Sequence, residues 1–83
     1  MSRDAFDVAR CERVPEGWRV DGRAYSDVAL GDSLACLECG AAMPVLAITT
    51  YRRPVDVLSG MMTGALVLGV ACDHVPAGTL PHA

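Results

Sequence analysis

The sequence predicts an all-β fold, a small closed barrel of six strands with Greek-key-type connections. Apolar and polar residues alternate in several short runs, which is typical of strands with one buried face. Turn-forming Gly and Pro residues separate these runs. No window of about 12 residues keeps the apolar spacing of a helix without a Gly or Pro inside it. Because short strands between turns leave exposed edges, we expect the sheet to close into a barrel.

The size and composition of the chain limit what the barrel can contain. Its 83 residues suffice for one domain, which we predict to span residues 1–83. The apolar fraction of 52% supports a globular core and excludes a disordered chain. Since the aromatic residues are only Phe6, Trp18, Tyr25 and Tyr51, the core must be built mainly from Val, Leu, Ala and Met. The net charge of −3 disfavours long-range attraction of nucleic acid, and we interpret Arg52-Arg53 as two solvated side chains.

The first half of the chain predicts a hairpin and a loop. The first strand is expected from Ala5 to Val14, and the second strand alternates from Trp18 to Ala24. Pro15-Glu16-Gly17 supplies the turn between them, because Pro presets φ and Gly permits open backbone conformations. Residues Ser26 to Asp32 are predicted to form a loop.

The second half predicts four more strands and one longer connection. Gly40 marks a turn, and the β-branched residues Val45, Ile48, Thr49 and Thr50 after it favour a strand. The predicted elements are a third strand from Ser33 to Glu38, a fourth from Met43 to Tyr51, a connection from Arg52 to Gly64, a buried fifth strand from Ala65 to Ala71, and a short last strand after the turn that begins at Val75.

An uncharged stretch from Val57 to Cys72 raises the question of a membrane helix. A spanning helix needs roughly 20 apolar residues, and this stretch is shorter and interrupted by glycines at Gly60, Gly64 and Gly69. We therefore interpret it as a turn followed by a buried strand. The first residues lack the apolar core of a secretory signal, so we expect a cytoplasmic protein with reduced cysteines.

A series of landmarks in a defined order extends from about Phe6 to Leu80. They are Phe6-Asp7-Val8, Gly22-Arg23-Ala24, Gly31-Asp32-Ser33-Leu34, Ala47-Ile48-Thr49-Thr50-Tyr51, the segment from Gly60 to Leu68-Gly69, and Val75 to Gly78-Thr79-Leu80. In this order and spacing the chain resembles the second domain of elongation factor Tu, the β-barrel shared by translational GTPases. Local physical reasons accompany these landmarks. Glycine at Gly31 and Gly78 would allow turns with positive φ, and Asp32 beside Gly31 can bond its own backbone in the turn. Gly69 would let a neighbouring strand approach closely or bend.

The resemblance also implies a class of function. In that family the barrel helps to hold the aminoacyl end of tRNA or packs against partner domains. GTPase activity belongs to a separate domain with a G-x-x-x-x-G-K-[ST] loop, and this chain contains no Lys. No residue here matches a binding motif of the family closely enough for its role to be transferred.

A Cys-x-x-Cys-Gly motif at Cys36, Cys39 and Gly40 is the clearest pattern of potential metal ligands. One turn of this type can present two thiolates to a zinc ion. Cys72 and His74 are a second pair of donors. Because the predicted fourth and fifth strands would be antiparallel neighbours, the end of the fifth would lie near the Cys36–Cys39 turn. Under this hypothesis Cys36, Cys39, Cys72 and His74 converge on one zinc ion.

Buried or incidental thiols are the favoured alternative, and we commit to neither a metal site nor a cofactor. Cys36 is expected in the middle of a strand, where it would pack as a small apolar residue. One residue separates Cys72 from His74, which is tighter than the usual two to four. Cys11 has no place in the zinc hypothesis, and a thioredoxin-like pair would need a βαβ pattern that the sequence lacks.

No arrangement of residues predicts catalysis, and we predict that the chain is not an enzyme. A Ser59, Asp73 and His74 triad fails because adjacent residues on a strand point to opposite faces. His82 is expected in a frayed tail. Tyr51 with Arg52-Arg53 could stack on a nucleotide, but a Tyr that caps the barrel is favoured.

Two adjacent methionines, Met61-Met62, are expected to plug one end of the barrel; the alternative is an adaptable contact surface. Taken together, these features predict a non-enzymatic interaction module that binds a protein, or a second copy of itself, through an apolar face. The alternative is a zinc-stabilised adaptor or an RNA-contacting module linked to translation, and the acidic net charge disfavours the RNA contact.

Overall fold

A computed structural model describes residues 4–69 and 75–83. These residues form strands, turns and loops, with no helix that could span a membrane. The strands are β1 (Asp4–Val14), β2 (Gly17–Ala24), β3 (Val28–Ala29), β4 (Ser33–Ala35), β5 (Ala42–Thr50), β6 (Arg53–Pro54), β7 (Val57–Leu58), β8 (Thr63–Gly69) and β9 (Gly78–Pro81).

Six of these strands form the wall of a nearly closed barrel. Their order is β4-β5-β8-β2-β1-β9, and every neighbouring pair is antiparallel. The two ends of this order meet where Leu34 forms a bridge with His82 and the amide of Ala83 donates to the carbonyl of Ser33 at 2.9 Å. The short strand β6 pairs with the end of β5, and β3 pairs with β7. The predicted six-stranded all-β barrel is confirmed.

The β1–β2 hairpin matches the prediction closely. Val14 pairs with Gly17, so the loop consists of Pro15 and Glu16 and is one residue shorter than the predicted Pro15-Glu16-Gly17 turn. A register shift between Val8 and Arg10 places one extra residue in β1. Such a bulge bends a strand and increases its twist, which helps a short sheet to curve into a barrel.

The core follows from the alternation of side chains along the strands. Val20 and Ala24 of β2 and Leu66 and Leu68 of β8 point inward and are fully buried. Phe6 contributes the largest buried ring. Burial of one such aliphatic or aromatic side chain stabilises a fold by about 1.5–3 kcal/mol. The remaining members of the core cluster are Ala5, Val28, Leu34, Cys36, Met43, Val45, Ile48, Leu58 and Leu80.

The predicted third strand is too long, because β4 ends at Ala35 instead of Glu38. The chain turns immediately afterwards: the amide of Gly40 donates to the carbonyl of Cys36 at 2.7 Å. Gly40 has φ +75, a left-handed conformation that Gly adopts without steric cost. Cys36 is buried in the core as expected for a small apolar residue, but at the start of this turn rather than in mid-strand.

Two predicted irregular segments contain short strands. The loop before Asp32 includes β3, and the connection after Tyr51 includes β6, β7 and the first two residues of β8. Strands β3, β6 and β7 have two residues each, so they are too short to show the alternation from which strands are predicted. The predicted end of the fifth strand at Ala71 lies outside the described residues.

The turn at Gly31 and Asp32 has the predicted chemistry. Gly31 has φ +88, and the carboxylate of Asp32 accepts a hydrogen bond from the amide of Ala29 at 2.9 Å. Gly78 is also left-handed, with φ +71. At Gly69 the expected close approach is present, since a Cβ there would lie 2.9 Å from Cγ of Pro44.

Candidate functional site

The outer wall of the barrel carries a groove of about 530 Å³. It crosses β1, β2, β8 and the end of β5, on the face opposite the core. Its lining combines small residues, threonines, arginines and aspartates: Asp7, Ala9, Arg19, Asp21, Gly22, Arg23, Thr49, Thr50, Tyr51, Arg52, Thr63, Gly64 and Ala65.

Strand register brings these distant parts of the sequence together. Asp21 of β2 pairs with Ala65 of β8, and Ala65 in turn pairs with Thr49 of β5. Two residues further along β2, Arg23 pairs with Thr63 of β8 on one side and with Asp7 of β1 on the other. Side chains opposite each other in an antiparallel pair lie on the same face, so these rows form one continuous surface.

The floor of the groove is low because its central residues are small. Ala65 has only a methyl group, and Gly64 beside it faces the core and adds no side chain to the outer wall. A Cβ on Gly64 would lie 2.8 Å from the carbonyl oxygen of Thr49 and 3.1 Å from Cδ1 of Leu58. Close packing between β5 and β8 therefore requires glycine at this position.

A strained turn forms the rim. Thr50 pairs with Arg53, so Tyr51 and Arg52 are the two central residues of the β5–β6 turn, with φ +50 and +62. Two-residue hairpin turns with both φ values positive strongly favour Asn-Gly. A non-glycine residue in the left-handed region costs roughly 1–2 kcal/mol.

The turn directs Tyr51 away from the barrel, and Tyr51 is 82% exposed. The prediction that Tyr51 caps the barrel is therefore wrong. The backbone conformation, which the sequence pattern does not reveal, decides the direction of the side chain. Arg52 and Arg53 are both exposed, as predicted.

The arginines of the groove differ in their partners. Arg19 contacts the carboxylate of Glu12 at 3.4 Å and that of Asp21 at 3.7 Å. Arg23 and Arg52 form no ion pair with any residue that the structure describes. Asp7 accepts a long hydrogen bond from the hydroxyl of Thr79 at 3.4 Å. The groove thus presents two guanidinium groups that form no ion pair among the described residues, on a protein whose net charge is negative.

The Cys36–Cys39 turn is a second region of interest. Two backbone hydrogen bonds stabilise it. The amide of Gly40 donates to the carbonyl of Cys36, and the amide of Cys36 donates to the carbonyl of Ala41 at 2.8 Å. Cys39 is exposed, and Cys36 is buried. Over residues 4–69 and 75–83, no three His, Cys, Asp or Glu side chains are grouped as metal ligands.

Cys72 and His74, the other two predicted zinc ligands, lie outside the described residues. The strand arrangement behind the zinc hypothesis is present, because β5 and β8 are antiparallel neighbours with Val45 opposite Leu68. A cleft of about 100 Å³ separates Cys36–Glu38 from Val75–Ala77. The convergence of the four ligands itself remains a prediction.

A Ser–His contact was missed by sequence reasoning. The hydroxyl of Ser26 lies 3.0 Å from Nε2 of His82, and neither residue lines the groove or the cleft. The expectation that His82 is frayed is wrong, since it bridges to Leu34 and closes the barrel. Of the rejected triad, Asp73 and His74 lie outside the described residues.

Met61 and Met62 were predicted either to plug one end of the barrel or to form a contact surface, and their burial differs. Met62 is partly buried and packs against the core, as a plug would. Met61 is 65% exposed and has φ +71. A left-handed backbone at Met61 turns its side chain outward, so only one of the pair contributes to the barrel interior.

Comparisons with known proteins address the fold. No protein-family model matches the chain, and no curated protein matches it. Among the solved structures that match is the apo form of translation elongation factor SelB from Methanococcus maripaludis, with a TM-score of 0.80 and 18% identity. The match covers 99% of this chain and 19% of the SelB chain. The barrel therefore has the fold of a translation-factor domain, as the resemblance to elongation factor Tu predicted.

Proposed function

We propose that this chain is a non-enzymatic interaction module, linked to translation, which binds a partner protein through the groove on its outer wall. One observation carries the proposal: the exposed Tyr51 lines the same groove as Arg23 and Arg52, which have no ion-pair partner among the described residues. A cytoplasmic location is part of the same proposal.

The chemistry of the lining supports binding rather than catalysis. The groove contains arginine, aspartate, threonine and tyrosine, but its lining includes neither His nor Cys. Tyr and Arg are the residue types enriched among those that dominate binding energy at protein interfaces. A large exposed aromatic ring loses little conformational entropy on binding, because it has only two side-chain torsions.

Backbone strain beside the groove supports a role for its rim. Strained residues persist where the surrounding structure holds them, and they are concentrated at binding sites. Tyr51 and Arg52 are such residues, and the turn would be more stable with Asn-Gly. The strained turn holds Tyr51 in its exposed position, which gives the strain a function.

The proposal is tested by comparing partner capture by two variants. Tyr51→Ala removes the exposed ring at the groove, and Tyr25→Ala is the matched control, because Tyr25 is 46% exposed but does not line the groove. Proteins captured by the wild-type chain and quantified by mass spectrometry should fall at least fivefold with Tyr51→Ala and stay within twofold with Tyr25→Ala. Equal capture by all three proteins, with unchanged melting temperatures, would refute the groove as the binding site.

The partner in this proposal is either another protein or a second copy of the chain. Small barrels with thin cores gain stability by association. Light scattering on a sizing column distinguishes the two cases: a strict monomer at high micromolar concentration excludes the second copy, while a dimer that Tyr51→Ala dissociates identifies it.

The second candidate function is a zinc-stabilised adaptor. The specific observation in its favour is the turn geometry, in which left-handed Gly40 donates its amide to the carbonyl of Cys36 and leaves Cys39 exposed. Cys36 and Cys39 would supply two thiolates, with Cys72 and His74 proposed as the other ligands. Metal analysis of purified protein should then find one equivalent of zinc, and a chelator should unfold the protein. An apo protein that keeps its melting temperature in chelator excludes this function.

A further inference from the structure

The uneven distribution of charge in the groove indicates what kind of partner it accepts. Arg19 is neutralised by two carboxylates, whereas Arg23 and Arg52 have no carboxylate partner among residues 4–69 and 75–83. A guanidinium group presents a planar fork of N–H donors that matches a carboxylate in a bidentate arrangement. The groove therefore has two sets of guanidinium donors that no ion pair among the described residues occupies.

We propose that the groove binds an acidic peptide segment of the partner protein, with side-chain carboxylates paired to Arg23 and Arg52. A small apolar side chain of the peptide would lie on the methyl group of Ala65, beside the ring of Tyr51. This inference rests on the proposed function and specifies the chemistry of the partner. The groove volume of about 530 Å³ is within the range of roughly 300–1,000 Å³ that is typical of ligand clefts.

The acidic residues of the groove favour a peptide over a polyphosphate chain. Asp7 and Asp21 lie in the same groove, and Glu12 contacts Arg19 near it. A nucleic-acid backbone carries one negative charge at every phosphate, so several of its charges would face these carboxylates on a protein of net charge −3. A peptide with two carboxylates carries fewer negative charges than an oligonucleotide of the same length, and its backbone amides can donate to the carboxylates of Asp7 and Asp21.

The threonines of the groove fit the same partner. Thr49 and Thr63 line the groove, and the hydroxyl of Thr50 is engaged with the carbonyl of Thr63 at 3.0 Å. A hydroxyl both donates and accepts a hydrogen bond, so it can satisfy either an amide or a carbonyl of an extended peptide. An extended peptide alternates these two groups along its length.

Amide NMR titration of the full chain tests the inference with three probes. The first is the hexapeptide acetyl-Ala-Asp-Leu-Glu-Leu-Ala-amide, whose Asp and Glu lie on the same face of an extended chain. The second replaces its Asp and Glu by Asn and Gln, and the third is hexauridylate. We expect the acidic peptide to shift the amides of Thr49, Thr63 and Ala65, with a Kd at least fivefold lower than that of the uncharged peptide. Hexauridylate should bind more weakly than the acidic peptide.

Arginine variants provide the matched control. Arg23→Gln and Arg52→Gln should each weaken binding of the acidic peptide at least fivefold, and both replace exposed side chains, so folding should be preserved. Arg53→Gln should change the Kd less than twofold, because Arg53 is exposed but does not line the groove.

The outcomes separate this inference from the proposed function. Equal affinities for the charged and uncharged peptides, or tighter binding of hexauridylate to the same amides, would overturn the acidic peptide while the groove remained a binding site. If no probe shifts these amides at millimolar concentration, the acidic peptide is also overturned. The proposed function then fails only if Tyr51→Ala leaves partner capture unchanged.

Discussion

Gly64 lies so close to the carbonyl oxygen of Thr49 that a Cβ on Gly64 would be only 2.8 Å from that oxygen. Because this contact joins β5 to β8, it determines how closely the two strands that carry the groove floor approach each other. A side chain at Gly64 would also meet Cδ1 of Leu58 at 3.1 Å. Glycine at this position therefore permits the close packing of β5, β8 and the core residue Leu58.

Gly64→Ala should lower the free energy of unfolding by about 1–3 kcal/mol, because the added methyl group forces the backbone of β5 or the side chain of Leu58 to move. Urea unfolding followed by tryptophan fluorescence of Trp18 measures the change. Thr63→Ala, one residue away on an exposed position, is the control and should change stability by less than about 1 kcal/mol. Equal effects of the two substitutions would contradict the close contact.

Sequence alone predicted the strands whose side chains alternate over many residues. In β1 and β2 the inward positions of Phe6, Val20 and Ala24 are separated by polar residues, so burial of one face dictated the structure. The turn at Gly31 and Asp32 was also predictable, because both residues have strong local preferences. In each of these cases the local signal and the tertiary structure agree.

The groove was not predictable, because it depends on strand register. Asp21, Thr49 and Ala65 become neighbours only when β2, β8 and β5 pair with particular offsets. Alternation shows which residues share a face of one strand but not which residues of distant strands lie opposite. The order of landmarks that resembles elongation factor Tu predicted the barrel, yet it did not locate the arginines that form no ion pair.

The exposure of Tyr51 could not be predicted for a different reason. A β-branched strand followed by Tyr favours continued pairing, and Tyr is an unusual residue for a left-handed turn position. The pairing of Thr50 with Arg53 overrides that preference and imposes positive φ at Tyr51 and Arg52. Cys36 shows the same conflict, since the turn closed by Gly40 ended a strand that its apolar neighbours predicted to continue.

Replacement of Tyr51 and Arg52 by Asn and Gly should stabilise the protein while it weakens binding. The pair Asn-Gly adopts the left-handed turn with little strain, so the free energy of unfolding should rise by about 1–2 kcal/mol. Partner capture should fall at least fivefold, because the exposed ring and one guanidinium group are lost. Thermal unfolding and quantitative capture measure the two effects on the same sample.

The control for this prediction is Arg52→Gly alone, which relieves strain at one position and keeps the ring of Tyr51. It should give part of the gain in stability and a smaller loss of capture than the double variant. A double variant that is less stable than the wild type would show that the Tyr51–Arg52 turn is not strained.

Ser26 and His82 should contribute to closure of the barrel as a coupled pair. Their side chains are 3.0 Å apart, and His82 forms the bridge to Leu34 that joins the ends of the sheet. Loss of a hydrogen bond of this type costs about 0.5–1.5 kcal/mol, so Ser26→Ala and His82→Ala should each destabilise the fold by that amount. The double variant should cost less than the sum of the two, because each single variant already loses the shared bond between Ser26 and His82. Full additivity in urea unfolding would show that the two side chains do not interact.

Cys39 should react with iodoacetamide at least tenfold faster than Cys36 in the native protein, because Cys39 is exposed in its turn and Cys36 is buried in the core. Peptide mapping by mass spectrometry gives the rate for each residue, and the same reaction in concentrated urea is the control in which the two rates should converge. Bound zinc would change the result in a defined way, since a coordinated Cys39 would react slowly until a chelator is added. Equal native rates for Cys39 and Cys36, with and without chelator, would contradict the placement of Cys36 in the core.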